Sequence, residues 1–255
     1  MAGAALPGRP VSTAPAAAAP VGRWTTGRVV EVVHEGTALL RVRLEVADRV
    51  DHLPGQHYVV RLRADDGYTA QRSYSVASDP GDPLLELLVE HLPGGEVSGF
   101  LHEVLEVGDV LELRGPIGGW FTWGGAGDLV PAVCVVGGTG VVPAVAMLRH
   151  ARRLGVSDRL RVVAVGRTRA ALPYAEELRA AGALVALTRE NLTGADGSVR
   201  VAAPPYVDEV RDLVEGVDRA YVCGSAGFAS FATRLLGEAG MRATGIRVEQ
   251  FGASG

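Results

Sequence analysis

The segment Val133-Cys134-Val135-Val136-Gly137-Gly138-Thr139-Gly140-Val141-Val142-Pro143 runs from a buried-strand pattern through a glycine turn into a helix start. That order aims backbone N–H groups and the positive end of a helix at phosphate. Glycine lets the main chain approach a pyrophosphate with no Cβ in between. Pro143 suits a first helical turn, where no hydrogen bond needs its missing N–H. An ordinary tight strand-to-helix turn uses the same residues, so the next strand bears on the choice. Leu160–Gly166 is followed by Arg167-Thr168-Arg169, with no acidic residue to read a ribose 2′-hydroxyl. Arginine there suits a 2′-phosphate, which a planar cation grips through two hydrogen bonds. Arg189, directly after the following strand, is positioned in sequence to join it; solvated loop arginines are the plain alternative.

Earlier in the chain, Gln71-Arg72-Ser73-Tyr74-Ser75 ends a strand. Alternation puts Arg72 and Tyr74 on one face and Ser75 on the other. A cation, a flat aromatic and a hydroxyl so close together suit an aromatic cofactor that carries phosphate, although an ordinary polar strand reads the same way. About twenty residues on, Gly94-Gly95-Glu96-Val97-Ser98 precedes a short helix, which makes Ser98 and its neighbouring N–H groups a second anion site. Two phosphate-type sites, one in each half, imply two nucleotides.

Composition removes many other chemistries. The chain has 255 residues, 47% hydrophobic and 21% charged, enough for two ordinary domains. All 25 basic residues are arginine. Without lysine there is no GxxxxGK[ST] phosphate loop, no Schiff base and no SxxK pair. Two cysteines exclude a disulfide scaffold and a multi-cysteine iron–sulfur or zinc site. The six histidines show no HExxH pattern and read as surface or barrel residues, so no metal is expected. Cys223-Gly224-Ser225-Ala226-Gly227 lacks the first glycine of a hydrolase nucleophile turn. No apolar run is long enough to span a bilayer. The Ala/Pro-rich stretch 1–20 is a poor signal peptide and reads as a flexible tail of a cytoplasmic protein. From Val21 to Gly127 there are 9 Arg against 16 acids, net −7; from Asp128 to Gly255, 15 Arg against 13 acids, net +2. Neither half has the basic excess of a nucleic-acid binder.

The elements needed to position these residues follow from periodicity. Strand-length apolar runs at Val29–Val33, Leu39–Leu44, Tyr58–Leu62, Leu84–Val89 and Val110–Leu113 are separated by turn residues. With a short helix between Val97 and Leu105, they predict an antiparallel β-barrel over 21–122. Beyond the glycine-rich Trp123–Gly127, continuous apolar strands at Ala132–Val136, Leu160–Val165, Leu184–Leu187 and Ala220–Val222 alternate with helical stretches. That pattern predicts an α/β domain with a parallel sheet over 128–255.

Taken together and in order, the motifs resemble the ferredoxin–NADP reductase superfamily over roughly Val21 to Gly252. They are RxYS at Arg72–Ser75, GxxS at Gly95–Ser98, Gly115-Pro116 at the barrel's end, GGTGxxP at Gly137–Pro143, Cys223-Gly224 after the last core strand, and Glu249-Gln250-Phe251. The resemblance implies an enzyme in which NAD(P)H reduces bound FAD by hydride transfer and FAD then passes single electrons to a separate acceptor. It assigns Arg72 to the flavin pyrophosphate, Tyr74 to the isoalloxazine ring and Ser75 to flavin N5. Gly95, Val97 and Ser98 fall to the FAD pyrophosphate; Gly138, Thr139, Gly140, Pro143 and Gly224 to the nicotinamide dinucleotide. Cys223 and Glu249 are implied beside the nicotinamide, with Ser75 as the third catalytic residue. Members that end in the aromatic stack it on the flavin; here four residues follow Phe251. The segment with Arg167, Tyr174 and Thr188-Arg189-Glu190 is similar to the 2′-phosphate grip of bacterial members, which implies NADPH, with NADH the alternative donor. The implied partner is a ferredoxin serving an oxygenase, or an oxygenase component, and the chain is expected to work as a monomer. Competing readings are a flavin reductase that releases reduced flavin and a non-catalytic flavin-binding electron-transfer subunit.

Overall fold

A computed structural model describes residues 22–124, 127–194 and 196–251. The expected tail 1–20, and Gly125 and Ala126 of the glycine-rich boundary, lie outside the described residues. The first half forms β1 (Trp24–Glu35), β2 (Leu39–Val46), β3 (His57–Arg63), β4 (Thr69–Ser75), β5 (Leu85–Glu90), α1 (Glu96–Glu103) and β6 (Val110–Ile117). The six strands make one antiparallel sheet in the order β4-β3-β6-β1-β2-β5. Its outer strands meet at a Val76–Leu87 bridge, backed by the Ala77 N–H donating to the Glu86 carbonyl at 2.8 Å, so the sheet curls into a barrel. Leu40, Leu44, Tyr58, Val60, Leu85 and Leu113 fill it, and α1 adds Val97 and Leu101. Strand β1 is longer than its apolar run predicts. A bulge between Val29 and Glu31 shifts the register there, so one alternation pattern does not cover the whole strand.

The second half contains β7 (Ala132–Gly137), α2 (Val142–Leu154), β8 (Leu160–Gly166), α3 (Ala175–Ala180), β9 (Leu184–Leu187), a small hairpin of β10 (Leu192–Thr193) and β11 (Val199–Arg200), α4 (Val207–Val214), β12 (Arg219–Gly224), α5 (Ala226–Glu238) and β13 (Ile246–Gln250). The sheet is parallel throughout, in the order β13-β12-β7-β8-β9. Its strands are apolar on both faces because each face is covered. Cys134, Val136, Val162, Tyr221 and Cys223 pack with α2, while Val133, Val135, Val163 and Val222 pack with α4 and α5. Strand β13 carries no apolar run in the sequence. It lies at the sheet edge with no residue fully buried, and burial is what writes such a run.

The halves meet over a mixed seam. Leu39, Ala77 and Leu88 of the barrel are buried with Val142 of α2. Arg149 donates to Glu86 (2.9 Å), to the Ala77 carbonyl (3.1 Å) and to both carboxylate oxygens of Glu177 (2.9 and 2.8 Å). His150 Nδ1 lies 2.9 Å from Asp79 Oδ1.

Candidate active site

The end of β4 and the carboxyl ends of β12 and β13 converge at the seam. Ser75 closes β4 directly opposite His57, the first residue of β3. Cys223 and Glu249 are opposite each other on β12 and β13. Glu249 Oε1 lies 4.0 Å from His57 Nδ1, a contact that joins the α/β sheet to the barrel. Ser75 Oγ and Glu249 Oε2 are both enclosed with no hydrogen-bond partner among the described residues. Buried polar atoms are nearly always paired, so each is a candidate ligand contact; Arg43 Nε, Arg49 Nε, His102 Nε2 and Arg114 Nε are enclosed without partners as well. Burial pushes the Glu249 carboxyl up from the usual carboxylate range. The Cys223 thiol is pushed well up, first by burial and then by the Glu249 charge. The His57 imidazole is lowered by burial. The pocket therefore favours neutral forms of all three groups.

The glycine turn sits against this cluster. Gly138 has φ +58°, a conformation that side chains resist, and starts a short 3₁₀ turn (138–141) leading into α2 with Pro143 in its first turn. A Cβ on Gly140 would collide with the Cys223 carbonyl, so only glycine lets this turn nest on the end of β12. The Thr139 hydroxyl donates to Glu90 Oε2 at 3.0 Å, which ties the turn to the end of β5. Gly224 accepts from the Phe251 N–H at 3.0 Å, and the half-buried Phe251 ring packs on the core cluster that contains Cys223.

On the barrel, the Tyr74 ring packs against the core, where burial pushes its hydroxyl up to about 12. Arg72 is exposed and donates only to the neighbouring Gln71 carbonyl (2.7 Å) among the described residues. Gly95 caps α1, whose first-turn N–H groups have no partner inside the helix. The Ser98 hydroxyl accepts from the Leu92 N–H (3.2 Å) and donates to the Gly95 carbonyl (3.4 Å). It is thus engaged in shaping the loop, and Val97 is buried in the barrel core; the groups left for an anion are main-chain N–H.

Arg167 and Arg189 are adjacent: the Arg189 N–H donates to the Arg167 carbonyl at 2.8 Å, and both side chains are exposed. Tyr174 is committed elsewhere. Its hydroxyl donates to Glu86 Oε1 at 2.9 Å, and its ring lies 5.2 Å from the Arg149 guanidinium, in the seam. It holds φ +56°, an uncommon conformation for tyrosine.

His57 escapes the sequence reading, which groups it with ordinary barrel histidines. The signal that finds it is register: a hairpin between β3 and β4 sets it opposite Ser75. Among the described residues, no group of three or more His, Cys, Asp or Glu is arranged to hold a metal ion, and no helix is long and apolar enough to cross a membrane.

Residues 28–122 match the family model described as an oxidoreductase FAD-binding domain. The flavohemoprotein of Bordetella pertussis is 32% identical over 98% of this chain and 67% of its own length. The chain belongs to the ferredoxin–NADP reductase superfamily. The ferredoxin–NAD(P)+ reductase component of the naphthalene 1,2-dioxygenase/salicylate 5-hydroxylase systems of Ralstonia is 27% identical over 91% of this chain and 70% of its own. A solved ferredoxin NADP+ reductase from Neisseria gonorrhoeae, with bound FAD and NADP, shares the fold at TM-score 0.70 and 16% identity, covering 89% of this chain and 98% of that one. The protein is an NAD(P)H-dependent flavoprotein reductase with FAD as its flavin. The residues present fit that group: Arg72 makes no ion pair among the described residues, the first-turn N–H groups of α1 have no partner inside the helix, and Ser75 Oγ and Glu249 Oε2 are enclosed without partners.

Proposed function

We propose that this chain takes electrons from NADPH and delivers them singly to a separate protein, a ferredoxin or oxygenase component, working as a cytoplasmic monomer. The observation that carries the reading is the His57–Glu249 contact at 4.0 Å, which joins the barrel pair of His57 and Ser75 to the sheet pair of Glu249 and Cys223, with Ser75 Oγ and Glu249 Oε2 left without partners. When bound, FAD supplies the conversion of a two-electron donor into one-electron steps. Arg72 and the α1 N–H groups hold the pyrophosphate, Tyr74 backs the flavin ring, and Gly138, Gly140 and Pro143 accept the nicotinamide dinucleotide. Ser75 Oγ presents a hydroxyl to flavin N5. Glu249 and Cys223, whose charged forms burial disfavours, position the nicotinamide, with His57 beside Glu249. Arg167 and Arg189, both exposed at the ends of β8 and β9, where the Glu190 carboxylate is taken up by the Arg169 N–H (2.8 Å), favour a 2′-phosphate and hence NADPH over NADH. The two cysteines, both buried, supply no iron–sulfur cluster among the described residues, and the reading places the acceptor on another protein.

Purified protein should be yellow, retain FAD through gel filtration, and reduce ferricyanide with NADPH faster than with NADH. FAD lost on the column and reduced only as a free substrate would favour the flavin-reductase reading. FAD retained without ferricyanide reduction would make the chain a non-catalytic subunit.

A further inference from the structure

One side of β5 faces the α/β domain residue by residue. Alternation places Glu86, Leu88 and Glu90 on that side. Glu86 receives Arg149 of α2 at 2.9 Å, and Leu88 is buried with Val142, the first residue of α2. Glu90, the last residue of β5, receives the Thr139 hydroxyl at 3.0 Å from the turn that leads into α2. The three contacts therefore climb from the middle of α2 to the glycine turn before it.

The two carboxylates of this ladder have different surroundings. Glu86 is enclosed and neutralised by Arg149, with Arg43 Nε 3.7 Å away. Glu90 is exposed, and the Thr139 hydroxyl is its side-chain partner among the described residues. The adjacent His91 turns instead to Glu103, 3.6 Å away. An unneutralised carboxylate thus sits beside Gly138 and Gly140, at the end of a 13-residue helix where the dipole favours an anion. A hydrogen-bond length plus one residue's span puts a phosphate held by the main-chain N–H groups of residues 138–140 within about 8 Å of it. That separation is comparable to the screening length at physiological salt.

We propose that the Glu90 carboxylate is a resident anion at the mouth of the dinucleotide turn, which opposes the pyrophosphate of NADPH and NADH alike and so limits how tightly either cofactor is held. The proposal rests on the reductase reading above and adds to it a determinant of dinucleotide affinity. Its reach differs from that of Arg167 and Arg189: the pyrophosphate is common to the two donors, whereas the 2′-phosphate belongs to one. Two negative groups at one helix end repel, and the Thr139 bond holds Glu90 in place to do so. The consequence is easy release of the oxidised dinucleotide, a step that limits turnover in many enzymes.

The test titrates the oxidised, FAD-loaded protein with NADP+, NAD+ and inorganic pyrophosphate, and reads Kd by calorimetry at rising salt. Glu90→Gln keeps an acceptor for the Thr139 hydroxyl and removes the charge; Glu90→Arg removes the acceptor and reverses the charge. Kd for NADP+ and for NAD+ should fall by the same factor in Glu90→Gln, about three- to tenfold, and fall further in Glu90→Arg. Pyrophosphate should follow the same order, and the differences should shrink as salt rises. Affinity in Glu90→Gln equal to wild type, with weaker binding in Glu90→Arg, would make the contact a structural tie only and overturns the proposal. So does a gain confined to NADP+. A wild type that binds pyrophosphate and neither dinucleotide strikes the reductase reading instead, and the order of the pyrophosphate affinities still judges Glu90.

Discussion

Glu249 shows how one buried carboxyl serves both chemistry and stability. Burial raises its folded pKa above the unfolded value, so the folded state holds the proton more tightly. Stability associated with the neutral group is present below the unfolded carboxylate range and is lost as pH rises through the raised value. Glu249→Gln keeps the neutral shape and removes the titration. The variant should match wild type in Tm at pH 4 and exceed it at pH 8, as differential scanning calorimetry would read. Its rate of flavin reduction by NADPH, followed by stopped flow, should lose the inflection that Glu249 gives the wild-type pH profile. An inflection that persists in the variant would move the titrating group to His57, whose pKa burial lowers.

At the scale of elements, the carboxyl ends of parallel strands collect the loops that bind ligands. Strands β8 and β9 place Arg167 and Arg189 there, fixed together by one main-chain hydrogen bond. Replacing both by alanine should raise KM for NADPH roughly ten- to a hundredfold, since a charge-assisted phosphate contact is worth about 1.5–3 kcal/mol. KM for NADH should hardly move, and steady-state kinetics with the two donors would show it. Equal losses for both would place these arginines on the part common to the two cofactors. Helix α1 offers a parallel case. Its GxxS signature reads as a ligand hydroxyl, but Ser98 is 5% exposed and its oxygen holds the turn that presents the N–H groups. On the proposed reading the element recognises the anion through its backbone, and the signature residue preserves the element.

For the whole molecule, the decisive feature is the seam that holds the barrel and the α/β sheet at a fixed distance. Glu86 is 3% exposed and receives Arg149 and Tyr174 at 2.9 Å each, with Arg43 Nε 3.7 Å away. Arg149→Met removes the main partner and leaves a buried carboxylate short of charge, a change that typically costs about 3–5 kcal/mol, or roughly 10 °C in a protein of this size. Thermal unfolding should show that loss. Flavin reduction should slow as well, because Ser75 lies on one side of the seam and Cys223 and Glu249 on the other. An unchanged Tm would mean that Arg43 alone neutralises Glu86. Tyr174 belongs to this scale too: the resemblance assigns it to the 2′-phosphate, whereas its hydroxyl serves the seam.

By itself the sequence determined what depends on neighbours along the chain. Alternating and continuous apolar runs separated an antiparallel barrel from a parallel sheet, because the number of buried faces dictates each pattern. The glycines before Pro143 and the Arg72–Ser75 strand end were legible because a turn with positive φ and an alternating strand each restrict residue type locally. Tertiary structure decided what depends on register and on the docking of the two halves. His57 reaches the site only through its pairing with Ser75, Glu249 only because β13 adds in parallel to β12, and Tyr174 leaves the nucleotide edge for Glu86. Local periodicity records which face of an element is buried; it carries no record of which distant residue lies across from it.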